Sequence, residues 1–145
     1  MTNASYPVLT FLLDYLAELP GLENLAEAQQ IRASSDQNDP PMGDAAVIVD
    51  VQDMGGHLNI SDRILVDVRV QVEVRTSLAA DLGLENFRTL CISVGAGMAA
   101  LQKNLPETVE DWDVRFVSSP VETSLSQDSL YRFQSFTATF LLQSK

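Results

Sequence analysis

The sequence predicts an α+β domain built on a mostly antiparallel sheet, with elements in the order α-β-β-β-α-β-β and helices packed on one face. Three observations predict it. The first is residues 64–75, Ile-Leu-Val-Asp-Val-Arg-Val-Gln-Val-Glu-Val-Arg, whose even positions are all β-branched and apolar. Successive side chains of a strand point to opposite faces, so Val66, Val68, Val70, Val72 and Val74 share a buried face. Asp67, Arg69, Gln71, Glu73 and Arg75 then share the other. The second observation is a change of period after Thr76, where Phe87, Leu90, Cys91, Val94, Met98 and Leu101 recur at helical steps. The third is a return to alternation near the C-terminus, where Phe136, Ala138, Phe140 and Leu142 oppose Tyr131, Phe133, Ser135, Thr137 and Thr139.

The first element is a helix. Ser5 is a capping residue and Pro7 suits a first turn, where a missing N–H costs little. Val8, Leu12, Tyr15, Leu16 and Leu19 follow at helical spacing, and Pro20-Gly21 ends the element. Residues 25–34 read as a strand, although Ala, Glu and Gln within them favour helix. Residues 34–44 carry Ser, Asp, Asn, Pro and Gly and read as an exposed hairpin tip. Residues 45–52 resume β patterning through Val47, Val49 and Val51, and residues 53–56, Asp-Met-Gly-Gly, read as a turn before the long strand. These three strands would form an antiparallel meander.

The second helix runs to Asn104 and contains Gly95-Ala96-Gly97. Each glycine costs about 1 kcal/mol there relative to alanine, so a close approach by another element is the expected reason for them. Trp112, Val114 and Phe116 alternate with Asp113, Arg115 and Val117 in a short strand, residues 118–129 form a second polar loop, and residues 130–143 close the sheet. One domain spans residues 1–145.

The long strand would extend roughly 40 Å. A compact chain of this length has a radius of gyration of only about 15 Å. Its end is therefore expected to overhang the domain and to offer an edge to another chain. The charged face of the strand, Asp67, Arg69, Gln71, Glu73 and Arg75, is a candidate assembly interface. Asp36 and Asp39, in the first polar loop, join it as residues that would order on contact with a neighbour.

Composition narrows the function. Nine basic residues against twenty acidic ones give a net charge of −11. That balance opposes tight binding to a phosphate backbone, which needs clustered Lys and Arg. A mean hydropathy of +0.04 and an apolar fraction of 46% mark an ordinary globular chain. A single cysteine, Cys91, excludes an intrachain disulfide and suits a reducing compartment. The first residues lack the basic and apolar runs of a signal peptide, and no apolar run is long enough to span a membrane.

No motif for catalysis, cofactor binding or metal binding is present. His57 in Gly-Gly-His, with Asp53 and Asp62 nearby in sequence, reads as a solvent-facing loop histidine. Cys91 reads as a buried small hydrophobe on an apolar helix face. A small soluble enzyme using His57 or Cys91 is the alternative from a different class, and a Cys91–His57 catalytic pair has no local signature behind it. Asp44, Asp50, Asp53 and Asp62 do not keep a calcium-loop register. The expectation is a binding or assembly protein rather than an enzyme.

Three stretches also carry a resemblance to a known family. Val8-Leu9-Thr10-Phe11-Leu12-Leu13, the strand of residues 66–74 and the closing stretch of residues 129–140 follow one another as in the phage tail terminator, or tail-to-head joining, proteins. The resemblance covers most of the chain as architecture. It implies a ring, hexameric in this family, that caps the finished tail tube, stops its polymerisation and joins the tail to the head. The implied partners are further copies of the chain, the tail tube protein and a neck or head-completion protein, with the tail sheath as a further neighbour. DNA would pass through the ring without specific binding. The implied location is the head-proximal end of the virion tail, after assembly in the host cytoplasm. A tail-tube or neck-connector subunit is the alternative within the same class.

Overall fold

The β-branched alternation of residues 64–75 does form one unbroken strand, and the rest of the molecule is arranged about it. A computed structural model describes residues 3–36, 43–58, 63–79 and 84–145. In chain order the elements are α1 (Ser5–Ala17), α2 (Glu23–Glu27), β1 (Ile31–Ala33), a 3-10 turn at Ser34–Asp36, β2 (Ala45–Leu58) and β3 (Ile64–Ser77). They continue with α3 (Glu85–Ala99), β4 (Thr108–Val109), β5 (Trp112–Val117), β6 (Val121–Glu122), β7 (Ser126–Gln127) and β8 (Tyr131–Ser144). The strands form one sheet in the order β1-β2-β3-β8-β5-β4, with β6 and β7 also paired to β8.

This corrects the expected fold class. Strand makes up 44% of the chain and helix 28%, in a curled, mixed half-barrel, so the molecule is mostly β rather than α+β in the order α-β-β-β-α-β-β. The sheet is mixed because β1 runs parallel to β2. The helices do not form one packed layer either, since α2 buries none of its residues.

Four local differences have physical causes. Residues 25–34 are not a strand: Asn24, Leu25, Ala26 and Glu27 follow their helical propensity in α2, and Gln29 turns the chain at φ 58°. Only Ile31–Ala33 remains extended. β1 and β2 pair in parallel, so they are not joined as a hairpin, and most of the expected hairpin tip, Asp39 included, lies outside the described residues. Residues 53–56 are not a turn but a bulge inside β2, with Gly55 at φ 98°. The polar stretch of residues 118–129 contains β6 and β7, each hydrogen-bonded to β8.

The core lies on the face made by the even residues of β3. Val68, Val70, Val72 and Val74 are fully buried beside Val47 and Val49 of β2 and Phe136, Ala138, Phe140 and Leu142 of β8. Each such side chain contributes about 1.5–3 kcal/mol on burial. Val8, Leu12 and Leu16 of α1 and Phe87, Leu90, Val94 and Met98 of α3 complete this core. Ser5 is the first helical residue rather than the cap: the Asn3 Oδ1 accepts the Ser5 N–H at 2.9 Å.

The two glycines of α3 serve close approach. A Cβ at Gly95 would stand 3.1 Å from Phe136 Cε1, and one at Gly97 would overlap the Leu19 side chain. The Tyr15 hydroxyl donates to the Gly97 carbonyl at 2.6 Å, which pins α1 to α3.

Thr76 continues the buried face at the end of β3, yet its Oγ1 is buried without a hydrogen-bond partner. A buried, unpaired hydroxyl costs about 1–3 kcal/mol. Thr76→Val keeps the shape and removes the hydroxyl, so the variant is expected to be more stable by about 1 kcal/mol. A denaturant midpoint that falls instead would show that the hydroxyl has a partner.

Candidate functional site: the polar face of the sheet

The odd residues of β3 lie on the other face of the sheet, and the strand register arranges that face in rows. Gln52, Arg69 and Thr139 form one row, and Asp50, Gln71, Thr137 and Val121 the next. Ile48, Glu73 and Ser135 follow, and then Ala46, Arg75, Phe133 and Ser126. Directly paired residues share a face, so these rows are neighbours in space. The five sequence-predicted residues of β3 thus do lie together. Asp36 closes the 3-10 turn after β1 and is not part of these rows.

The face divides into two halves. At the Arg75 end the side chains are already engaged with one another. The Arg75 guanidinium is 2.8 Å from Glu73 Oε2 and sits over the rings of Tyr131 and Phe133, 5.6 and 5.9 Å from their centroids. Ile48, Arg32 and Ser135 are buried there, and Gln71 Nε2 donates to Ser135 Oγ at 3.2 Å. At the Arg69 end the face is open. Arg69 is exposed and makes no ion pair with any described residue.

A bulge enlarges the open half. The pairing of β5 with β8 slips between Val114 and Phe116, so Phe116 pairs with Leu141 and faces the polar side, while Val117 turns into the core. Simple alternation places Phe116 with Trp112 and Val114, which is why sequence reasoning missed it. Phe116 is 53% exposed and Val121 67%. Arg69 lies one row to one side of Phe116, and on the other side Arg115 reaches Gln143, its Nε donating to Gln143 Oε1 at 2.5 Å.

The face is electrically balanced in a strongly acidic chain. Arg32, Arg69, Arg75 and Arg115 stand against Asp50, Asp67, Glu73 and Asp113. Asp50 Oδ1 accepts from Ser34 Oγ at 3.1 Å, and Asp67 is half-buried. The net charge of −11 therefore resides elsewhere. Part of it lies on α1 and α2, where Asp14, Glu18, Glu23 and Glu27 are exposed and no Lys or Arg occurs between residues 5 and 27.

The lateral edges of the sheet also differ. Beyond β5 the edge is occupied by β4 and by Gln102, whose Nε2 donates to the Val117 carbonyl at 2.8 Å. On the other side, β1 covers only Val47 to Val49 of β2. From Val51 onward the outer edge of β2 has no strand beside it among the described residues. An open edge with a bulge and an acidic side chain at Asp53 resists indiscriminate pairing.

Asp128 fixes the start of β8. Its Oδ1 accepts the N–H groups of Leu130 and Tyr131 at 2.8 and 2.7 Å, and these bonds, with a smaller contribution from Arg75, hold its carboxyl below the usual carboxylate range. A depressed folded-state pKa stabilises the fold above the ordinary value of 3.8, and that contribution disappears as pH falls through the folded value. Asp128→Ala is expected to fray the Leu130–Tyr131 end of β8. The check is faster amide exchange at those two residues, with the strand's far end unchanged.

The residues of the enzymatic alternative lie on separate elements. His57 lies in β2 opposite Leu65 rather than in a loop. Cys91 is half-buried rather than buried. Burial, and then the charge of Glu122, push its thiol up to about 12, so it stays protonated and weakly nucleophilic at neutral pH. Among the described residues, no group of three or more His, Cys, Asp or Glu side chains could hold a metal ion. Among the described residues, no helix is long and apolar enough to cross a membrane. No known family matches this chain, and no curated protein matches it.

Proposed function

We propose that this chain is a structural subunit of a phage tail, of the tail-terminator kind. It assembles with further copies into a ring, hexameric by analogy with that family, which caps the tail tube, stops its growth and joins the tail to the neck. The ring would sit at the head-proximal end of the virion and let DNA pass without gripping it. β8 covers β3 from Leu65 to Ser77, so that strand does not overhang. The observation that carries this reading is instead the outer edge of β2, open from Val51 among the described residues, beside a face that is open around Arg69 and Phe116. An exposed edge beside a patch that is both apolar and charged has the make-up of a surface that meets another protein. The acidity of the chain supports a wall that DNA slides past, since a negative surface repels a phosphate backbone.

Electron microscopy of particles assembled without this chain tests the reading. Overlong tail tubes are expected, and tails of normal length would overturn it. Long tubes formed by the purified chain alone would instead assign it to the tube.

A further inference from the structure

We infer that the open half of the polar face docks the outward face of α1 of a second copy of this chain. The inference rests on the ring reading and adds the surfaces that meet. The acceptor is the patch of Arg69, Arg115 and Phe116, where two arginines without an ion pair to any described residue flank an exposed aromatic ring. The outward face of α1 offers the complementary set. Asp14 and Glu18 are exposed, no cation lies on the helix, and Tyr6 is 64% exposed about two and three turns before them. Arginine would meet carboxylate in this docking.

Charge decides which surfaces can meet. Two chains of −11 repel, so contact through two acidic surfaces is disfavoured. On the balanced face a second acidic copy meets the exposed Arg69 and Arg115 without an excess of carboxylates around them. The two surfaces are different and lie on opposite sides of the sheet, because α1 packs on the face of the even β3 residues. Their contact is therefore heterologous, and repeated contacts of that type close into a ring when the rotation per subunit allows it.

A charge-swap mixing experiment tests this. One variant carries Arg69→Glu and Arg115→Glu, the other Asp14→Lys and Glu18→Lys. Each is melted first to show that it folds, since Arg69, Asp14, Glu18 and Arg115 are all exposed. Self-association is then followed by sedimentation and light scattering at low salt. Each variant alone meets like with like and is expected to associate about a hundredfold more weakly than the natural chain. Mixed in equal amounts, they alternate with every contact charge-matched, and association is expected to return.

The outcomes separate the two levels. Rings from the natural chain and from both variants alone would overturn the docking surface and leave the ring standing. Salt-sensitive dimers or open chains rescued by mixing would support the docking and overturn the closed ring. A natural chain that stays monomeric at every concentration would overturn both. Rings lost in each variant but not restored by mixing would overturn the pairing of these two surfaces.

Discussion

Val72→Asp is expected to abolish folding. Val72 sits at the middle of β3, fully buried, paired with Val49 on one side and Phe136 on the other. A carboxylate there would enter an apolar layer closed by α3, with no cation on that face to pair with it. Burying such a group costs several kcal/mol even after it takes up a proton. A domain of this kind has about 5–15 kcal/mol in total. Circular dichroism and a urea titration read the result. The comparison is Arg69→Ser on the opposite face, exposed and without an ion pair among the described residues, whose midpoint is expected to move by no more than about 0.5 kcal/mol. Two substitutions three positions apart on one strand thus differ by an order of magnitude because a strand has two sides.

Phe140→Ala is the second large effect. Phe140 is fully buried on β8, where it pairs with Val68 of β3 and Val117 of β5 and meets the Phe11 ring edge-on at 6.3 Å. It therefore joins α1 to the sheet at the strand shared by both halves. Truncation leaves a cavity that neither β3 nor β5 can close, because their backbones are fixed by the ladder. The expected loss is about 3–5 kcal/mol. For a domain of this size that is roughly 10 °C or more in melting temperature. Phe140→Leu keeps most of the volume and is expected to cost no more than about 1.5 kcal/mol. Equal melting points for Phe140→Ala and the natural chain would mean that the ring is not part of the core.

The sequence made the centre of the molecule legible and left its margins dark, for definable reasons. Alternation over fourteen residues in β3, and again in β8, leaves little freedom in face assignment, because slipping by one residue would expose every valine. The helical spacing from Phe87 was equally clear, although α3 ends at Ala99 rather than running to Asn104. What escaped were features whose cause is a hydrogen bond to a distant partner. β6 and β7 are extended because β8 presents free ladder positions there, and nothing in Val121–Glu122 or Ser126–Gln127 announces it, whereas β1 is the one part of the expected strand 25–34 that β2 keeps extended. The bulge at Arg115 is another case. One extra residue moved Phe116 from the expected core to the surface and brought Val117 in, and with them half of the candidate site. The charged row of β3 was visible in sequence; the engaged and open halves of that row were not, since Tyr131 and Phe133 reach Arg75 only through the strand pairing.

The place of β8 in the middle of the sheet sets a timetable for the chain's birth. Its partner β3 lies far earlier in the sequence: Gln71 and Ser135, which touch across the ladder, are 64 positions apart. Synthesis at about 5–20 residues per second leaves several seconds between the appearance of β3 and that of β8. During that interval β3 can pair with β2, but its other edge and its five valines have no cover from the C-terminal strand. Structures dominated by such distant pairings also close slowly, in milliseconds to seconds. The nascent chain must therefore protect a sticky half-sheet until its last fourteen strand residues leave the ribosome. Its yield in the cell is set by that wait as much as by the stability of the finished fold.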